Sequence, residues 1–309
     1  MKAIMYHYIR PEPKGLPFFR YLHLDDFRSQ LDLFEREHGF LSREDFLQAL
    51  DSGDPAGPGV VLTFDDAFAD HFDYVLPELR RRGLWGIFYI PTGMYQNGAL
   101  LDVHRLHLLL GAFGGDAILA GLNNMISPEM LSQSHIEEFR SLAYDRQDNE
   151  ANAAEVKLML NYFISYEYGE EILDRLMHKF FNGTRLESES FYVSSKQINI
   201  LQESGMIVGS HAVSHRMFSK LPVAEQKREI ESSFDFLDRV TGGLEFRTFC
   251  FPYGGNDSFN AESERLLEEA GCAFSFKVEP RNITADDLSQ RRQALPRFDC
   301  NRFQYGQVR

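Results

Sequence analysis

Residues 60–66 read VVLTFDD. A short, largely apolar run from Val60 to Phe64 ends directly at two adjacent carboxylates, Asp65 and Asp66. A run of this length with no polar face fits a strand covered on both sides, as in a parallel sheet. Neighbouring carboxylates repel, so a buried strand end holds both only where a cation or a proton resolves the conflict. An exposed turn or helix cap is the ordinary home of an Asp-Asp pair, and the pair alone does not choose between the two.

The flanking sequence supplies the alternation such a strand needs. Upstream, AIMYHYI (3–9) is strand-like and RPEPKGLP (10–17) is a Pro-rich loop. DDFRSQLDLFERE (25–37) then spaces Phe27, Leu31 and Phe34 as a helix, and SREDFLQAL (42–50) reads as a short helix capped by Ser42. Downstream, HFDYVLPELRRRG (71–83) is helical up to Gly83, and LWGIFYIP (84–91) is another buried strand. The pattern returns late in the chain, with helices over 194–205, 223–243 and 261–271 and strands in MIVGS (206–210), FRTFCFP (246–252), CAFSFKV (272–278) and ALPRFD (294–299).

Strands alternating with helices predict a parallel sheet with right-handed crossovers. About seven strands fit an α/β fold, an incomplete or distorted (β/α)7 barrel, where chemistry gathers at the C-terminal strand ends. Between these parts, helical runs occupy 102–113, 127–143, 152–164 and 169–181, with no convincing strand. The expected organisation is a barrel built from residues 1–100 and 194–309, with a helical insertion at 101–193 that serves as a cap or a dimer contact.

With 309 residues, 43% of them hydrophobic, the chain can bury a large core. A net charge of −14 argues against a nucleic-acid surface or an anionic membrane as partner. No stretch approaches the ~18 apolar residues of a spanning helix, and the strand-like start lacks a secretory apolar run. Cys250, Cys272 and Cys300 are scattered without a C-x-x-C, as reduced thiols would be. These features give cytoplasmic localisation as the expectation.

Two further clusters follow predicted strands. GSHAVSHRMF (209–218) separates His211 and His215 by three residues, near enough to converge on one ion, although a solvated helical pair has the same spacing. Two histidines and one carboxylate make three ligands and leave a coordination position for water. FCFPYGG (249–255) offers backbone N–H groups at Tyr253 and the glycines, suited to an oxyanion, or forms an ordinary Pro-Tyr-Gly turn.

TFDD, H-x-x-x-H after Gly-Ser, and FPYG, in that order, resemble the polysaccharide deacetylase family, carbohydrate esterase family 4, over roughly residues 1–100 and 195–300. The resemblance implies a metal-dependent hydrolase that removes an N-acetyl group from a sugar or glycan precursor. It casts Asp65 as the base that activates water, Asp66, His211 and His215 as ligands of a divalent metal, usually zinc, and the Tyr253 amide as oxyanion support.

The chain departs from the family pattern in three places. Ala67 replaces a frequent glycine, and Cys250 stands where many members carry an arginine paired with the catalytic aspartate. Arg297 shares a strand face with Asp299 and is the expected substitute partner of Asp65, ahead of Arg247. No histidine follows His215, whereas many members place an acid histidine late. Some relatives are circularly shifted, with that element on an N-terminal strand, and MYHYI looks like that arrangement, which makes His7 the proton donor to the departing amine.

A core histidine is the plain alternative for His7. His71 reads as a first-turn helix residue, His104 and His107 as solvated or packing residues, Trp85 and the GIFYIP aromatics as barrel filling, and Tyr95 as a candidate for the substrate rim. Two other functions compete: a catalytically silent metal- and glycan-binding protein, and a deformylase or O-acetyl esterase on the same scaffold. The resemblance and the expected localisation together suggest lipopolysaccharide O-antigen or another bacterial surface polysaccharide as the setting.

Overall fold

The computed structural model describes residues 1–12, 15–55, 57–127, 130, 151–182 and 190–309. They fall into two compact units. The first takes in Met1–Pro11, Tyr21–Ala99 and Ser188–Arg309, and the second Glu12–Arg20 and Leu100–Glu187. The Pro-rich segment 12–20, read from sequence as a loop of the barrel part, thus groups with the helices.

Nine strands form in the first unit: β1 (Lys2–Tyr6), β2 (Ile9–Arg10), β3 (Leu22–His23), β4 (Val60–Asp65), β5 (Ile87–Ile90), β6 (Ile207–Ser210), β7 (Thr248–Cys250), β8 (Phe274–Val278) and β9 (Leu295–Asp299). β2 and β3 make a small parallel pair, and the other seven close into a barrel in the order β1-β4-β5-β6-β7-β8-β9. Every ladder in the barrel is parallel, and pairing of Ile4 with Phe298 and Met5 with Asp299 joins the first strand to the last. The seven-stranded (β/α)7 barrel expected from the sequence is present, and of the two forms anticipated, incomplete or distorted, the ring is the closed one.

Strand periodicity decides what fills it. Ala3, Val61, Ile87, Tyr89, Ile207, Cys250, Phe274, Phe276 and Leu295 belong to one buried cluster, and within a strand they recur at spacing two, as residues on one face do. The same parity continues to His7, Asp65, His211 and Arg297 at the C-terminal strand ends. Phe88 and Phe64 lie on the opposite faces of their strands and stack at 4.8 Å in a layer with Tyr6 and Phe27. Trp85 packs at the core's edge and donates its indole N–H to the Leu41 carbonyl at 2.8 Å.

The second unit packs the helices Asp102–Asn123, Ala151–Leu158 and Tyr166–Phe181 around Leu106, Leu109, Ile118, Leu122, Val156, Leu160 and Leu176. The first of these is interrupted at Gly114, whose φ of 77° and ψ of 166° no ordinary helix contains. By length and composition alone Asp102–Asn123 is, among the described residues, one helix apolar enough to cross a membrane, a test that a core helix also passes. Over half of its apolar window is buried in the structure, as in the core helix of a bundle. His104 on this helix is fully buried, not solvated. The helix expected over 127–143 lies outside the described residues except for Ser127 and Met130.

Candidate active site and metal centre

Asp65 is the last residue of β4 and 1% exposed. Arg297, itself fully buried on β9, meets it with two parallel hydrogen bonds, Nη1 to Oδ1 at 2.9 Å and Nη2 to Oδ2 at 2.8 Å. Nη1 also donates to Thr63 Oγ1 at 2.9 Å, and the guanidinium lies 5.7 Å from the Tyr89 ring centre and 5.6 Å from that of Phe276. Burial opposes the Asp65 charge, yet the Arg297 cation and its hydrogen bonds win and hold the carboxyl down at about 2. The small Cys250 thiol touches both groups, so its side chain leaves the barrel interior room for a guanidinium delivered from β9. Arg247 is excluded as the partner: it donates to Asp238 and to the Ala270 carbonyl instead.

Asp66 follows with a φ of 79°. Its Oδ1 lies 3.6 Å from His211 Nε2 and 3.3 Å from His215 Nε2, and all three residues are buried. One ligating atom from each of the three falls within 4.8 Å of the others. The His211 ring is fixed from behind, because its Nδ1 donates to the Cys250 carbonyl at 2.7 Å. That bond selects the tautomer whose Nε2 lone pair is turned to Asp66, the usual way an outer partner prepares a metal-binding histidine. Burial pushes the His211 pKa down to about 4, so the ring is neutral, as ligation requires. The donor set of two neutral imidazoles and one carboxylate fits a divalent ion such as zinc.

The loop carrying the two histidines is held from several sides. His211 N–H bonds the Ile90 carbonyl at 2.9 Å, and Thr92 and Gly93 donate to the carbonyls of Ala212 and Val213 at 3.0 and 2.9 Å. Glu229, in the helix Val223–Thr241, accepts from the backbone N–H groups of Val213 and Ser214, both at 2.8 Å. No local motif pointed to Glu229. The helix does place Gln226, Glu229, Ile230, Ser233 and Phe234 on its buried face, and polar residues at that helical spacing were the available signal.

Among the described residues, seven besides glycine have positive φ, and five of them are Asp66, Ala67, Ala212, His215 and Tyr253. Such conformations cost about 1–3 kcal/mol each and persist where the surroundings enforce them. Ala67, at φ 56°, adopts the conformation that glycine would supply at no cost. Tyr253, at φ 63°, turns the chain after β7, and the turn is pinned by Val278 N–H on the Gly254 carbonyl at 2.7 Å. The Tyr253 ring lies 5.3 Å from that of His215.

His7 follows β1 directly, one residue past the last registered pair, Tyr6 with Phe64, while β4 runs on to Asp65. His7 is half-buried and near enough to act electrostatically on the Asp65 carboxyl. His71 opens a helical turn, as expected, and is fully buried, and Tyr95 spends its hydroxyl on the Val193 carbonyl at 2.7 Å rather than on an open rim. The three cysteines are free and buried.

With these parts at one end of one barrel, the second half of the chain can be placed. Residues 175–275 match the polysaccharide deacetylase family. The match takes in His211, His215 and Tyr253. Solved structures extend the likeness, as one of fold, across almost the whole chain. A deacetylase of Streptococcus pyogenes, PplD, solved with acetate, superposes with a TM-score of 0.58 at 16% identity, covering 97% of this chain and 91% of its own. IcaB from Ammonifex degensii gives 0.55 at 14% identity over 96% and 90%. The BpsB deacetylase domain of Bordetella bronchiseptica gives 0.51 at 13% identity over 96% of each. The search of curated proteins finds no match. The polysaccharide deacetylase fold therefore accounts for where the acidic pair, the histidine pair and the Pro-Tyr-Gly turn meet.

Proposed function

We propose that this chain is a metal-dependent hydrolase that removes an N-acetyl group from a carbohydrate. The observation that carries the reading is the placement of the Asp65–Arg297 pair beside the Asp66, His211 and His215 cluster. Asp66, His211 and His215 would hold a divalent metal, and such an ion supplies Lewis acidity that polarises an amide carbonyl and lowers the pKa of a bound water toward ~7.

The remaining work falls to the chain. Asp65, kept ionised by Arg297, is available to accept a proton from water at any working pH. The backbone N–H of Tyr253, in its left-handed turn, is the donor read for the oxyanion. His7, beside Asp65, hands a proton to the amine as it leaves, because an amine departs poorly without one. Arg297 orients the base by its two-pronged grip.

The family match and the fold shared with deacetylases support this reading over a silent binding protein. Both departures from the family pattern have a candidate substitute: Arg297 reaches Asp65 from another strand, and His7, next after β1, acts electrostatically on the same carboxyl. A circularly shifted arrangement, with the acid moved to the N-terminal strand, is part of the proposal. So is cytoplasmic work on a precursor of lipopolysaccharide O-antigen or another surface polysaccharide, in keeping with the free, buried thiols. The helical unit is read as a cap or a homodimer contact, which the oligomeric state in solution separates.

Zinc-supplied protein should release acetate and free amine from N-acetylglucosamine oligomers, and Asp65→Asn should lower the rate by roughly 10²–10⁴-fold. Release of formate from an N-formyl sugar alone, or hydrolysis of O-acetyl sugars alone, would move the chemistry to another bond. An Asp65→Asn enzyme as fast as the parent would remove Asp65 from the mechanism.

A further inference from the structure

His71 has no place in the chemistry above, yet its surroundings are unusual for a packing residue. It opens a π-helical turn, His71–Val75, and is fully buried. Its ring centre lies 5.7 Å from that of Phe64, 5.6 Å from Phe68 and 5.9 Å from Phe88. In an aromatic cage of this kind phenylalanine would be the comfortable occupant, since a polar ring loses its water and must be compensated. One bond is formed: Nε2 meets the backbone carbonyl of His7 at 2.9 Å. A carbonyl only accepts, so Nε2 carries the hydrogen and Nδ1 is a bare acceptor. Among the described residues that buried Nδ1 has no hydrogen-bond partner. Burial pushes the His71 pKa down to about 4, which keeps the ring in this neutral form.

The recipient of the bond matters. His7 lies just beyond the β1–β4 ladder, whose last registered pair is Tyr6 with Phe64, so strand pairing does not fix it. A buried ring that leaves one nitrogen unsatisfied while giving its only hydrogen to that peptide makes poor sense as packing and good sense as a brace. We infer that His71 is a positioning residue for His7, its Nε2–H gripping the His7 carbonyl so that the imidazole of His7 is presented beside Asp65. This rests on the reading of His7 as the proton donor to the leaving amine.

The test separates positioning from packing by setting stability against rate and one leaving group against another. His71→Phe fills the cage without a donor, whereas His71→Gln keeps an N–H at about the reach of Nε2. Each variant, with zinc supplied, is assayed on N-acetylglucosamine pentamer and on 4-nitrophenyl acetate, and its Tm is measured. A phenolate leaves without a proton, so loss of the acid's alignment should spare the aryl ester.

The expected result for His71→Phe is a Tm equal to or above the parent's, with kcat on the pentamer lowered on the order of 10- to 100-fold, KM little changed and aryl ester hydrolysis retained. His71→Gln should be the less stable variant and the faster on the pentamer. His71→Leu serves in the same way if the phenylalanine variant does not fold. Rates on both substrates that fall together in step with Tm, or parental pentamer turnover by His71→Phe, would overturn the inference. His7→Ala is the control: if it loses the pentamer activity while His71→Phe keeps it, only the brace fails, and if it keeps that activity the acid reading fails and the brace with it.

Discussion

Arg297 holds both carboxylate oxygens of Asp65, and neither side chain of the pair is more than 2% exposed. Removing one member of such a pair strands a charge in a medium that cannot solvate it, at a cost of about 3–5 kcal/mol. Arg297→Leu is expected to lose that much stability in urea denaturation. The double variant Arg297→Leu/Asp65→Asn should recover part of the loss, because the uncompensated carboxylate is gone. Lysine should substitute poorly, since its single ammonium cannot make the fork.

Glu229 predicts a remote effect on metal binding. Its carboxylate takes the N–H groups of Val213 and Ser214, which lie between His211 and His215. Glu229→Ala should lower zinc affinity about 10–100-fold, the usual penalty for losing an outer partner, measured by competition with a chromophoric chelator. Glu229→Gln, still an acceptor, should fall between the two. Parental affinity in the alanine variant would show that the loop needs no such anchor.

Zinc itself should stabilise the folded chain. At a free concentration about 100 times Kd the gain is about 2.7 kcal/mol, visible as a rise in Tm that a chelator reverses. Asp66→Asn, His211→Ala and His215→Ala should each abolish the rise. A shift of the same size in all three variants would place the ion elsewhere.

A pH dependence resides far from the site, at Asp287. Burial raises its pKa, but the two bonds from Arg281, at 2.6 and 2.7 Å, and those from the Thr284 amide and hydroxyl bring it down to about 2. A carboxyl whose folded-state pKa is depressed contributes stability above its unfolded value near 4, and loses it as pH falls through the folded value. Asp287→Asn should therefore be less stable than the parent at neutral pH by about 1 kcal/mol, a figure discounted because Arg281 is 39% exposed. The gap should close between about pH 4 and 2 in denaturation curves. A gap constant across that range would assign the loss to packing.

The barrel was legible because strands buried on both faces read as unbroken apolar runs, each ending at the residues that matter: VVLTF before Asp65, MIVG before His211. Arg297 was reached through the resemblance, which left Asp65 in want of a partner at Cys250, and strand parity put it on one face with Asp299. Glu229 and His71 were harder: each acts on a backbone group elsewhere in the chain, and the helical spacing that marks Glu229 as buried does not name its partner. For the segment Glu12–Arg20 the sequence does not say which unit it joins. Its prolines announce a loop, whereas what holds it is close packing, with Phe18 N–H on the Gly111 carbonyl at 2.9 Å and Phe19 where a side chain on Gly111 would stand.

The seam between β1 and β9 carries a consequence for biosynthesis. His7 precedes Asp65 in the chain and Arg297 follows it far downstream, yet both act on the same carboxylate. A nascent polypeptide that has not yet delivered β9 holds Asp65 without its counter-ion in a ring that is not closed. The closing of the ring and the counter-ion of Asp65 thus arrive together, once translation has passed β9.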